Sequence, residues 1–333
     1  MNALGESHIG VLSDGGSIPL TSTIRHQELG NSPDAFLFEI DISVYFQLYC
    51  KVSANHILED KDVKALFFDL DGTLLDSSKR IPSSAKDALR RCRENGIRIF
   101  FASARSPRLD QTLDWTDEEF ALFDGGIYCN GASIDFENQV SHFFIDPSVV
   151  KTALTLADQY PDVHMSLHMP DEGYAFNFAI EQSMYKSWGL AQARILPVDD
   201  YACTNSVKLL LFYRHLTDSD KKLPDSLGEQ LRSCCDQLAN IYVTDDGRTI
   251  QISSKNASKL AAIESIRQKL DIDAGEIAVF GDDLNDMEML CAYPNSVAMG
   301  NAVPSIQNAA RYLTKSNDNN GIAYALEEIL HLC

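Results

Sequence analysis

At 333 residues, with 45% apolar and 23% charged side chains, the chain is long enough to bury a sizeable core and to hold two domains. Against 28 Lys and Arg stand 48 Asp and Glu, a formal net charge of −20. This argues against broad electrostatic binding to nucleic acid or to an anionic membrane, and an anionic small molecule would need a locally positive pocket.

The N-terminus MNALGESHIGVLSDGG lacks the basic-then-apolar order of a secretory signal. The chain also has no apolar run of about eighteen residues, so the expectation is a cytoplasmic protein with no membrane partner. Residues 1–62 open on a polar, Gly- and Ser-containing stretch and continue into DAFLFEIDISVYFQLYCKV, which has neither helical nor strand periodicity and carries no motif. They are expected to be an N-terminal extension of unknown role.

From Val63 the pattern becomes regular. KALFF is a short apolar run ending in acidic residues and glycine, as expected of a buried strand opening into a loop. PSSAKDALRRCRENG places Ala85, Ala88, Leu89 and Cys92 at helical spacing, with Pro82 near its start and Gly96 past its end. IRIFFAS follows as a second buried strand. Strand, helix, strand in this order is a parallel βαβ unit, whose ligand belongs beyond the carboxyl ends of the strands.

The segment 147–248 has a different grammar. Helices are expected at VVKTALTLADQY and DSLGEQLRSCCDQL, and strands near VHMSLHM, YAFNFAI, VKLLLFY and IYVTD. The α/β pattern then returns with the helix SKLAAIESIRQKL, the strand EIAVFG, two short strands at NSVAMG and RYLTKS, and a closing helix GIAYALEEIL. The fold class is therefore α/β, a Rossmann-like parallel-sheet core (63–146 and 249–333) with an inserted α+β cap (147–248). The eight cysteines are scattered without CxxC spacing, and several sit in apolar runs, where a reduced cysteine serves as a small core residue.

Four places carry chemistry. In ALFFDLDGTLLD, Asp69 and Asp71 lie two apart at a strand end, so both carboxylates can face one space. Such neighbours repel unless one is protonated or a cation lies between them. Gly72 and Thr73 let the chain turn with N–H groups exposed, which suits an anion, though a DxD run by itself is equally a solvated turn. In GDDLNDMEML, Asp282, Asp283, Asp286 and Glu288 follow a strand directly. They suit either helix capping or, being all oxygen donors, a hard cation such as Mg²⁺. Lys259 falls in the first turn of a helix begun by Asn256 or Ser258, where a cation opposes the helix dipole unless an anion is bound there. In FASARS, Ser103 ends the second strand and Arg105 stands two residues on, placed to hold a phosphoryl oxygen.

Taken in order, DxDGT, a strand-end Ser, a helix-start Lys and GDxxND in one α/β frame resemble the haloacid dehalogenase superfamily of phosphohydrolases, over roughly residues 64–330. The resemblance implies that Asp69 attacks phosphorus to form an aspartyl-phosphate, and that Asp71 protonates the leaving group and later activates water, with Thr73 helping to fix it. It implies that Thr73, Ser103, Ala104, Arg105 and Lys259 surround the phosphate. Mg²⁺ would be held by Asp69, the backbone carbonyl of Asp71, Asp282 and, directly or through water, Asp286.

The long gap between Ser103 and Lys259 must house the cap. With YCNGAS, AMGNA and SNDNNGIA, this layout looks like the Cof-type subfamily (HAD-IIB), in which Asn130 and Asn285 line the substrate side. Two departures stand out: Ser103-Ala104-Arg105 replaces the usual Thr-Gly-Arg or Ser-Ser-Arg, and Lys259-Leu260 replaces Lys-Gly.

The function implied is Mg²⁺-dependent hydrolysis of a small phosphorylated metabolite of the sugar phosphate, pyridoxal phosphate or flavin mononucleotide class. A phosphomutase and a catalytically idle phosphate-ligand-binding protein remain the alternatives. HMPDEGY and FAIEQSMYKSW are candidate specificity loops, and Tyr174 and Trp188 could stack on a ring, although an aromatic in an apolar run more often belongs to the core.

Overall fold

The computed structural model describes residues 62–160, 162–170, 173–190, 193–213 and 221–333. The expected N-terminal extension therefore lies outside the described residues, except for Asp62.

The first sheet has eight strands in the order β14-β13-β12-β1-β2-β3-β4-β5. Its centre is β1 (Ala65–Phe68), flanked in parallel by β2 (Arg98–Ala102) and β12 (Ile277–Gly281). All four residues of β1 and all five of β12 are buried. That is why they read as unbroken apolar runs: helices cover both faces of a parallel sheet, so alternation is lost. Phe67 stacks on Phe100 and Phe68 on Phe280, with ring centroids 4.7 and 4.5 Å apart.

β3 (Gly125–Tyr128) continues the parallel order next to β2, and β13 (Asn295–Ala298) and β14 (Tyr312–Leu313) extend it beyond β12. The expected crossover helix is present at Ser83–Glu94 and buries Ala85, Ala88, Leu89 and Cys92, the four residues picked out by spacing. Beyond β3, β4 (Ser133–Phe136) and β5 (Gln139–His142) add an antiparallel hairpin at the edge. The spacing of apolar residues does not announce it. Glu137 and Asn138 both have positive φ (53° and 61°), as a two-residue turn matching strand twist requires.

The second sheet has six strands in the order β10-β11-β9-β6-β7-β8. These are β6 (Val163–His168), β7 (Gly173–Phe176), β8 (Arg194–Leu196), β9 (Lys208–Tyr213), β10 (Ala239–Thr244) and β11 (Thr249–Ser254). The helices Pro147–Ala157 and Asp225–Cys235 cover one face, where Val149, Val150, Ala153, Leu227 and Leu231 pack with Met165, Leu167, Leu209, Leu211, Ile250 and Ile252.

The sheet pairing corrects the expected cap boundary. β11 pairs with β10 (Thr244↔Thr249 to Ala239↔Ser254) and with β9. Residues 249–254 thus belong to the cap sheet, and the core resumes with the helix Lys259–Leu270. The hairpin turn Asp245-Asp246-Gly247, with φ of 53°, 54° and 82°, is the local signal for this strand.

Among the described cysteines, Cys92, Cys129, Cys203 and Cys235 are free and buried, as their apolar surroundings imply, whereas Cys234 is free and exposed. No helix among the described residues is long and apolar enough to cross a membrane.

Candidate active site

The register of the first sheet brings the four motifs together. Phe68 is level with Phe101 and with Phe280, so Asp69, Ser103 and Asp282 emerge side by side beyond the strand ends. The Asp69 N–H donates to the Phe280 carbonyl (3.0 Å) and the Ser103 N–H to the Ile127 carbonyl (2.8 Å). The chain then turns at Gly72, where φ is +82° and a Cβ would lie 2.3 Å from Asp282 Oδ2. Only glycine allows this close approach of the two acidic loops.

Lys259 is the first residue of its helix, which Ser258 caps by accepting the Ala261 N–H (3.1 Å). Its side chain is 2% exposed, and Nζ donates to Asp69 Oδ1 and to Asp286 Oδ1, each at 2.6 Å. Burial works against the ammonium charge, but Asp286 and Asp69 outweigh it and hold the amine above the ordinary lysine range. These two carboxylates, not only the helix dipole, therefore set the electrostatics of this position.

Carboxylate oxygens of Asp69, Asp282 and Asp286 lie within 4.8 Å of one another. Burial, reinforced by Asp286 and Asp282, pushes the Asp69 carboxyl well above its usual range despite Lys259. Burial and then Asp286 push Asp282 up to about 7. Asp286 is wholly buried, and its Oδ2 accepts the N–H groups of Asp282 and Asp283 at 3.0 and 3.2 Å. One of its oxygens thus caps the loop while the other accepts from Lys259.

Asp71 is turned away from this cluster. Its carboxylate takes a bidentate pair from Arg105, Nε to Oδ2 at 2.6 Å and Nη2 to Oδ1 at 2.7 Å, and a third bond from Lys79 Nζ at 2.7 Å. Burial favours its neutral form, but Arg105 and then Lys79 outweigh this and hold it at about 2.

Thr73 does not fix Asp71, contrary to expectation. It is fully buried and its hydroxyl donates to Asp282 Oδ1 at 2.8 Å, so its proton is committed to an acid 209 positions away. Lys79, which the motif reading passed over, is one of the residues that hold Asp71. A single cation eight positions after a carboxylate gives no sequence signal for such a pairing.

The loop after β2 brings the remaining residues in. Ser103 Oγ accepts the Arg105 N–H (3.1 Å), while the Ser103 carbonyl accepts the Asn130 N–H (2.9 Å). Asn130 sits in left-handed backbone (φ 54°) and is 1% exposed. Its Oδ1 accepts from Asn285 Nδ2 at 3.1 Å, and its Nδ2 has no hydrogen-bond partner among the described residues. Ala104 offers its carbonyl to Lys208 Nζ of β9 at 2.8 Å. The cap also touches this loop where Ser106 Oγ meets His168 Nδ1 (2.8 Å) and where Arg108 Nη1 donates to the Gly189 carbonyl (2.8 Å).

A cavity of about 330 Å³ adjoins this loop between core and cap, lined by Ser106, Arg108, Cys129, His142, His168 and Tyr174 among others. Tyr174 is buried and packs with Phe176, Leu190 and the half-buried Trp188, so both aromatics belong to a cluster. Of the candidate loop HMPDEGY, Asp171 and Glu172 lie outside the described residues.

Residues 66–326 match the family of haloacid dehalogenase-like hydrolases. The chain belongs to this family. The protein YkrA of Bacillus subtilis (strain 168) is 30% identical over 271 residues, covering 80% of this chain and 98% of its own. Phosphatase YwpJ of the same organism is 28% identical over 291 residues, covering 80% of this chain and all of its own. Among solved structures, the HAD subclass IIB sugar phosphatase BT4131 superposes with a TM-score of 0.66 at 24% identity, covering 80% of this chain and 98% of that one; this likeness concerns the fold. The chain is a phosphatase of this family, with an α/β core and a cap.

Proposed function

We propose that this phosphatase hydrolyses a small phosphate monoester through an aspartyl-phosphate on Asp69, with Mg²⁺ held by Asp69, Asp282, Asp286 and the backbone carbonyl of Asp71. The observation that carries the reading is the cluster at the strand ends: Asp69, Asp282 and Asp286 each place an oxygen within 4.8 Å of the others and, among the described residues, the Lys259 ammonium bonds only Asp69 and Asp286, while the Asp71 carboxylate is held by Arg105.

The donor set fits the ion. It consists of oxygen alone, as a hard divalent cation prefers, and burial raises Asp69 and Asp282 because their negative charge is under-compensated. A bound dication supplies that compensation and neutralises phosphoryl charge.

Asp69 Oδ1, oriented by Lys259, attacks phosphorus and the P–O bond to the leaving group breaks. Lys259 Nζ and Ser103 Oγ–H hold the transferring phosphoryl oxygens. Asp71 delivers a proton to the leaving oxygen and in the second half-reaction takes one from the water that attacks the aspartyl-phosphate. In the structure Asp71 is an ionised carboxylate clamped by Arg105 and Lys79, so its acid role requires these cations to release it. A phosphate monoester is itself a ligand that draws a guanidinium away from a carboxylate. Thr73 holds Asp282, which keeps that carboxylate turned into the cluster.

Hydrolysis of p-nitrophenyl phosphate with Mg²⁺ by the wild-type and Asp69→Asn proteins tests the reading. Loss of turnover in the variant, with retained fold, is expected. Full activity of Asp69→Asn sinks the nucleophile assignment.

A further inference from the structure

The cap sheet has two unlike faces. Leu209, Leu211, Ile250 and Ile252 turn to the cap helices, so by alternation their neighbours in β9 and β11 face the other way. These neighbours include Lys208, Leu210 and Phe212 of β9 and Gln251 and Ser253 of β11, of which Lys208, Gln251 and Ser253 are polar. Leu209 pairs with Ile252, which sets Lys208 beside Ser253, and Gln251 pairs with Tyr242 of β10.

That face is turned to the core site. Lys208 Nζ bonds the Ala104 carbonyl, within the loop that carries Ser103 and Arg105, and its amine feels the charges of Arg105 and Asp71. Tyr242 likewise feels Glu288 and Lys259.

Several polar groups on this face are buried with one or no hydrogen-bond partner among the described residues. Lys208 is 7% exposed, makes one hydrogen bond to a neutral carbonyl, and forms no ion pair among the described residues. Among the described residues Gln251 Nε2 and Ser253 Oγ are buried without a hydrogen-bond partner, as is Asn130 Nδ2 of the core. Leaving such groups unmet is costly, and a native site that does so is one a ligand completes. An ammonium, two amide N–H₂ groups and a hydroxyl are all donors, so the complementary ligand is an acceptor and, opposite Lys208, an anion.

We propose that the cap face of Lys208, Gln251 and Ser253 binds a carboxylate or second phosphate of the leaving group, so that the substrates are phosphate monoesters of anionic rather than neutral alcohols. The inference rests on the phosphatase reading and narrows its substrate class. It also gives the local positive pocket that a chain of net charge −20 needs for such a substrate.

The test uses a matched pair of probes, 3-phosphoglycerate and glycerol 3-phosphate, which differ in a carboxylate against a hydroxymethyl group. Each is measured as a competitive inhibitor of p-nitrophenyl phosphate hydrolysis with Mg²⁺. Wild type is expected to favour 3-phosphoglycerate by roughly tenfold or more, the scale of a charged hydrogen bond. Lys208→Met should bring the ratio near one, and Lys208→Arg should keep most of it. A wild-type ratio of one overturns the proposal. So does equal weakening of both probes in Lys208→Met, which would make Lys208 only a brace for the Ala104 loop. If p-nitrophenyl phosphate is not turned over at all, the mechanism fails separately, and calorimetric titration of the same two probes still reads the preference.

Discussion

Replacing Lys259 by Met keeps the length of the side chain and removes its charge. Two bonds of 2.6 Å, to Asp69 and Asp286, are lost from a site where all three side chains are nearly or wholly inaccessible. Breaking a buried ion pair by deleting one partner typically costs about 3–5 kcal/mol, because the other charge is left uncompensated. For a domain of this size that is a fall in Tm of roughly 10 °C.

The loss should depend on pH. Asp69 and Asp282 already have folded values above the usual 3.8, so near neutral pH the folded state binds more protons than the unfolded one. Stability contributed by these groups is present at low pH and falls as pH rises from about 4 through their raised values. Removing Lys259 takes away a charge that opposes the rise, so the deficit of Lys259→Met against wild type should be smaller near pH 5 than near pH 7.5. Mg²⁺ binding to the folded state should shrink it further. Thermal unfolding at the two pH values, with and without Mg²⁺, reads all of this. A deficit of the same size in every condition would refute the electrostatic account and leave only lost packing.

Gly72→Ala should lower Tm and weaken Mg²⁺ binding measured by calorimetry, since a Cβ there meets Asp282 Oδ2 at 2.3 Å in a backbone with φ of +82°; unchanged binding would show that the loop moves freely. Thr73→Val removes the donor to Asp282 Oδ1 and should cost about 1.5–3 kcal/mol in urea unfolding, with no loss expected only if Asp282 is protonated throughout. Gln251→Leu should be neutral or raise Tm by up to a few degrees, because it removes a buried unpartnered amide, while raising KM for the anionic substrate; a lower Tm with unchanged KM contradicts the binding role. His168 lies between Ser106 and Ser166, and its burial first, then Lys208 and Arg108, hold it well below the usual 6.5. The unfolded chain therefore takes up a proton that the folded one refuses, and stability should fall as pH drops below about 6.5. His168→Gln should flatten that fall in urea titrations.

The chemistry was legible where it is local. Asp69 and Asp71 stand two apart at the end of an apolar run, and the run itself declares that the strand is buried on both faces. Sheet register then places Ser103 and Asp282 beside them, which follows once the strands are parallel. Other features depend on long-range docking and leave no local trace. Thr73 finds Asp282 only because Gly72 lets two loops touch. Lys79 turns back onto Asp71 from a surface turn. Lys208 stands second in the run VKLLLFY, and nothing in that string says whether its side chain meets water or the core. The strand Thr249–Ser254 lies on the cap side of the expected boundary at 248 and is not among the expected strands, although Asp246-Gly247 marks the turn before it.

The cap meets the catalytic loop at Ala104, Ser106 and Arg108 through Lys208, His168 and Gly189. None of the three contacts is an ion pair, and neutral or singly charged bonds of this kind each contribute on the order of 1–3 kcal/mol. They alternate along the very segment that carries Ser103 and Arg105, so any shift of the cap is passed to the groups expected to hold the phosphate. Because Arg105 clamps Asp71, it also reaches the proton donor. On the proposed mechanism, a leaving group that engages Lys208 would load the Ala104 carbonyl less and let Arg105 turn from Asp71 to the phosphate, which would couple leaving-group selection by the cap to the activation of Asp71.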